Sequence, residues 1–160
     1  MRTLIVVRHG KSDWSGDEPD RERPLAKRGR RQLPASAAWI AEHHPVVDLA
    51  VVSPALRAQQ TWDVVAESLD GQPEVVTDER VYAAWGRDLV PLVRALPATM
   101  TTVALVGHNP GLEELVAELT GEGVELPTSA VAVLAFADGW TGDARVVAHG
   151  RPPEDRRTEQ

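Results

Sequence analysis

Thr3-Leu4-Ile5-Val6-Val7-Arg8-His9-Gly10 begins as an apolar, β-branched run and stops abruptly at an arginine, a histidine and a glycine. Leu4–Val7 reads as a buried strand, and Gly10 lets the backbone turn sharply and come close to a bound group. The same grammar recurs along the chain. Leu49–Val52, Glu74–Thr77, Thr102–Val106 and Val131–Phe136 read as strands, with Arg145–Ala148 as a further one. Between them, apolar residues fall at helical spacing: Leu33, Ala37 and Ile40; Thr61, Val65 and Leu69; Leu89, Leu92, Val93 and Leu96; Leu112, Leu115, Val116 and Leu119. Strand then helix, repeated, predicts an α/β domain whose largely parallel sheet is covered on both sides. The turn-rich segment 137–143 predicts a closing hairpin and an antiparallel edge.

With 160 residues, the chain has room for one compact domain, for which a single hydrophobic core is expected. We read residues 1–150 as that domain and 151–160, which lack apolar side chains, as a tail without fixed structure. No stretch is long and apolar enough to cross a bilayer, and no leader-like segment precedes the first strand, so a cytoplasmic location is expected. Cysteine is absent, which removes disulfides, thiolate metal sites and cysteine nucleophiles. A net charge of −7 argues against nucleic-acid or membrane partners, since both need a positive field. An anion must therefore be held by a few locally placed cations.

The strand ends supply them. In open α/β sheets ligands bind beyond the carboxyl ends of the strands. Arg8-His9-Gly10 follows the first strand, and Ser53-Pro54 follows the second, with Arg57 shortly after; Gly107-His108-Asn109-Pro110-Gly111 follows the fourth. Ser53 is a suitable N-cap and Pro54 a suitable first helical residue. Either histidine segment alone is compatible with a purely structural turn. Two arginines, two histidines and two helix N-termini at one sheet edge point instead to a phosphate site.

These segments resemble a known family. Arg8-His9-Gly10, Ser53-Pro54-Ala55-Leu56-Arg57-Ala58-Gln59-Gln60-Thr61 and Gly107-His108-Asn109-Pro110 are similar to the three signature segments of the histidine phosphatase superfamily, and Pro24-Leu25, Gly29 and Gln32 match its first helix. Lys11-Ser12, the run from Gly107 to Glu113 and the short chain are most similar to SixA-like phosphohistidine phosphatases. The resemblance implies a phosphoglycerate-mutase-like three-layer α/β/α sandwich. It implies His9 as the nucleophile that carries the phosphoryl group, with Arg8, Arg57 and His108 on its equatorial oxygens. Gly10 is expected to add a backbone donor, and Ser15 stands where mutase-like relatives place an asparagine that contacts phosphate. Glu79, in Asp78-Glu79-Arg80-Val81-Tyr82, is the expected general acid. No metal or other cofactor is implied.

The implied substrate is a phosphorylated protein carrying phosphohistidine. The alternatives are a small phosphoester, such as a sugar phosphate or nucleotide, or phosphate binding without turnover. An alkoxide leaving group must be protonated, whereas imidazole can leave already protonated, so a poorly placed acid favours phosphohistidine. A mutase is disfavoured, because the chain has little material for a lid. The basic stretch Arg21, Arg23, Lys27, Arg28, Arg30 and Arg31 reads as a solvated face, the alternative being a docking patch. His43-His44 reads as a helix terminus, and Trp14 and Trp85 as candidate rim residues.

Overall fold

Alternation along the first strand divides its side chains between two cores: Leu4 and Val6 enter one, Ile5 and Val7 the other. This follows from a computed structural model that describes residues 1–153. The tail expected from residue 151 lies, from 154 onward, outside the described residues.

The strands are β1 (Arg2–Arg8), β2 (Leu49–Val52), β3 (Glu74–Thr77), β4 (Thr102–Gly107), β5 (Val131–Phe136) and β6 (Ala144–Gly150). The helices are α1 (Lys27–His43), α2 (Leu56–Ser68), α3 (Gly86–Arg94) and α4 (Gly111–Thr120). The six strands form one sheet in the order β3-β2-β4-β1-β5-β6. β3, β2, β4 and β1 pair in parallel, whereas β5 is antiparallel to both β1 and β6. The predicted hairpin and antiparallel edge are therefore present, and the strand that reverses direction is β5, one in from the edge.

Both sheet faces are covered. Leu89, Leu92 and Val93 of α3 and Leu112, Leu115 and Val116 of α4 pack with Leu4, Val6, Val103 and Leu105. On the other face, Ala37 and Ile40 of α1 and Ala58, Trp62 and Val65 of α2 pack with Ile5, Val7, Ala50 and Val106. The result is a three-layer α/β/α sandwich. Each fully buried leucine, isoleucine or valine here contributes about 1.5–3 kcal/mol of transfer free energy.

The start of α2 departs from expectation. The helix begins at Leu56 with Ala55 at the N-cap, not at Pro54 after a Ser53 cap. Ser53 accepts the Ala55 N–H at 3.2 Å, but its hydroxyl also meets the ring of His108 and so serves the strand ends. In the neighbouring helix, Gly29 lets α1 lie directly on the loop after β1: a Cβ there would clash with the carbonyl oxygen of Lys11.

Candidate active site

Because β2, β4 and β1 are neighbours in the sheet, their carboxyl ends deliver Ser53, His108 and His9 to one place. The His9 N–H donates to the carbonyl of Gly107 at 3.1 Å, and the His9 carbonyl accepts from Ser129 N–H at 3.1 Å. The rings of His9 and His108 lie 5.0 Å apart, centre to centre. They share a solvent-open cavity of about 350 Å³ with Arg8, Arg57, Asp20 and Arg23.

His9 forms the floor, only 8% exposed. Its Nδ1 stands 2.7 Å from the Gly10 carbonyl, which can only accept, so Nδ1 carries the proton and Nε2 keeps its lone pair. Burial is the main cause that lowers the His9 pKa to about 4; Arg57, Arg8 and Arg23 push the same way and the Gly10 carbonyl opposes them. Desolvation thus outranks the neighbouring arginines. His108 is lowered to about 3, again chiefly by burial and then by His9 and Arg57. Its Nε2 is 2.7 Å from Oγ of Ser53, which is fully buried. That Oγ accepts from Ala55 and, among the described residues, meets no acceptor for its own proton other than Nε2; with the proton given there, the neutral His108 ring carries its proton on Nδ1.

Both arginines are anchored by acceptors of the protein. Arg8 donates from Nη1 to the Leu126 carbonyl at 2.9 Å, and Arg57 donates to the Asp20 carbonyl at 2.8 Å and to its Oδ2 at 3.1 Å. The Nε of each arginine is buried without a protein partner.

The remaining expected residues are placed otherwise. Gly10 is buried beneath the cavity, but its N–H donates to Thr61 Oγ1 at 3.0 Å and is not free for a phosphate. Thr61 in turn donates to the Arg57 carbonyl at 2.7 Å, so one side chain ties the loop after β1 to α2. Ser15 is exposed, donates its N–H to Asp13 Oδ1 and does not line the cavity. Nor does Glu79. Its side chain is 68% exposed and forms a forked ion pair with Arg21, which lowers its pKa. The structure thus brings together His9, Arg8, Arg57 and His108, and leaves Ser15 and Glu79 outside.

Asp20 and Tyr82, to which the sequence reading gave no role, join the site, and so does Arg23, which was expected on a solvated face. Asp20 accepts from Arg57, from Arg23 Nε at 3.2 Å and from the Tyr82 hydroxyl. Those donors hold its pKa at about 2, Tyr82 contributing most. Arg23, taken with the solvated basic stretch, is buried with its guanidinium 3.3 Å above the centre of the Trp14 ring. Lys27, Arg28, Arg30 and Arg31 do face solvent. Trp14 lines the cavity as expected, whereas Trp85 borders a separate depression with Arg87 and Glu114. His43 ends α1, its ring stacked on Trp39.

Comparison with known proteins agrees with this geometry. Residues 4–87 match the family described as Histidine phosphatase superfamily (branch 1). Uncharacterized protein Rv1276c of Mycobacterium tuberculosis (strain ATCC 25618 / H37Rv) is 31% identical over 147 residues, which cover 84% of this chain and 89% of that protein. A solved structure of the protein histidine phosphatase SixA complexed with tungstate is 25% identical with a TM-score of 0.84, covering 94% of this chain and 97% of that one. A structure assigned as a SixA phosphohistidine phosphatase, from Nakamurella multipartitia, is 26% identical with a TM-score of 0.83, covering 94% of this chain and 96% of that one.

Proposed function

This chain belongs to branch 1 of the histidine phosphatase superfamily and is SixA-like, and from that premise we propose that it hydrolyses protein-borne phosphohistidine, without a metal, through a phosphoryl group carried on His9. The neutral His9 Nε2 attacks phosphorus in line. Arg8, Arg57 and the Nδ1–H of His108 receive the equatorial oxygens, where charge gathers in the transition state. Nη2 of Arg8, which takes no part in the anchoring bond to Leu126, is a donor available for this. Water then attacks the phosphorylated His9 and releases inorganic phosphate, with the electron pair returning to Nε2.

One observation carries the choice of substrate. Asp20 is the single carboxyl group on the cavity wall among the described residues, and it is held ionised. A group in that state cannot protonate a departing alkoxide, but an imidazole can leave with its proton already in place. The solvent-open cavity suits a substrate displayed on another protein.

The test compares a histidine-phosphorylated protein domain with a panel of sugar phosphates and nucleotides, with and without a chelator. Hydrolysis of the phosphoprotein, unaffected by chelation, is expected to dominate, and an acid-labile phosphoenzyme is expected to form on the parent chain and not on His9→Ala. Preferential turnover of the small esters would overturn the substrate assignment. A phosphoenzyme that survives His9→Ala would overturn the nucleophile.

A further inference from the structure

Resting on that reading, we propose that Asp20 accepts a hydrogen bond from the far ring nitrogen of the substrate phosphohistidine, so that the leaving imidazole stays protonated there and departs neutral. In-line attack places the leaving group opposite His9. Since His9 is the buried floor, the leaving group lies toward the mouth, and the Asp20 side chain, 47% exposed, stands on the wall there.

The electrostatics of the cavity make such a residue necessary. Its wall carries Arg8, Lys11, Arg23 and Arg57, all cationic. These attract the phosphoryl group but penalise a proton on the attached imidazole, and an unprotonated phosphoimidazole would have to expel imidazolate, a strong base. Among the described residues that line the cavity, Asp20 is the one anionic side chain available to offset that penalty. The groups that face it are Arg57 from α2, Arg23 from its own loop, Tyr82 from the turn after β3, itself under Arg21, and His108 from beyond β4.

Asp20 also has acceptor capacity to spare. Oδ2 takes the bonds from Arg57 and Tyr82, whereas Oδ1 takes only the one from Arg23. A carboxylate oxygen has two acceptor positions, so Oδ1 retains one. The nucleophile is already treated in the way we assign to the leaving group: the far nitrogen of His9, Nδ1, donates to the Gly10 carbonyl. Phosphoryl transfer then runs between two imidazoles, each with its far N–H held by a fixed oxygen. The bond from His9 Nε2 to phosphorus forms as the bond from phosphorus to the substrate nitrogen breaks, and the electron pair goes to that nitrogen. No proton moves to or from Asp20.

The experiment measures kcat for Asp20→Asn and Asp20→Glu on a histidine-phosphorylated protein and on p-nitrophenyl phosphate, whose leaving group needs no protonation. Asp20→Asn is expected to lose about tenfold or more on phosphohistidine, the scale of a charge-assisted hydrogen bond, and to lose far less on the ester. The alkaline limb of its phosphohistidine profile is expected to move to lower pH, and Asp20→Glu to restore part of the rate. Activity on the ester shows that each variant is folded. Equal losses on both substrates, or an unmoved alkaline limb, would mean that Asp20 only positions Arg57 and would overturn this inference alone. Failure of the parent chain to hydrolyse phosphohistidine would overturn the proposed function and this inference with it.

Discussion

Oγ of Ser53 lies 2.7 Å from Nε2 of His108, and the two residues come from the ends of adjacent strands β2 and β4. With the Ser53 proton on Nε2, the His108 ring carries its own on Nδ1. Ser53→Ala removes the bond while His108 stays in place, so the ring is free to adopt either tautomer. A neutral hydrogen bond contributes about 0.5–1.5 kcal/mol, so kcat/KM is expected to fall about 2- to 12-fold. Steady-state kinetics on any turned-over phosphate substrate checks this, and an unchanged kcat/KM would remove Ser53 from the arrangement of the site.

Activity is expected to persist to lower pH than an ordinary histidine nucleophile allows. The acid limb of kcat/KM should fall near the lowered His9 value of about 4, because protonation there removes the attacking lone pair. Stability carries the same sign. The unfolded chain protonates these histidines near their ordinary value of about 6.5, before the folded chain does, so stability is greatest above that pH and declines as pH falls toward 4. A pH–rate profile with parallel denaturant titrations measures both. An acid limb at about 6.5 would contradict the burial argument.

Thr61→Val replaces the hydroxyl by a methyl of similar shape and leaves the Gly10 N–H buried without an acceptor. The expected cost is about 1–3 kcal/mol of stability, or about 2–4 °C in Tm for each kcal/mol in a chain of this size. Because the lost contact joins the loop that carries His9 to the helix that carries Arg57, activity at room temperature should fall as well. Calorimetry together with kinetics separates the two effects.

The strands were legible because β-branched runs of fixed polarity have few alternatives, and the histidines and arginines at their ends stand out for the same reason. The polar loop from Asp13 to Pro24 offers no periodicity, so Asp20 and Arg23 looked like their solvated neighbours. Arg23 differs from Arg28 or Arg30 only in three dimensions, where Trp14 covers its guanidinium. Around residues 78–82 the segment was recognisable but its contribution to the cavity was not: a short turn directs Tyr82 to Asp20 and leaves Glu79 to Arg21. The start of α2 was misplaced because a buried hydroxyl beside an imidazole does something a propensity scale does not record.

β1 is flanked on both sides, and the backbone of His9 is tied to Gly107 on one side and to Ser129 on the other. Local fraying cannot free it. Amide exchange at His9 would then require the rare event that opens the whole molecule, and the nucleophile would be lost all at once rather than by degrees as the protein is heated. At constant pH, heat would therefore remove the nucleophile together with the sheet that holds it.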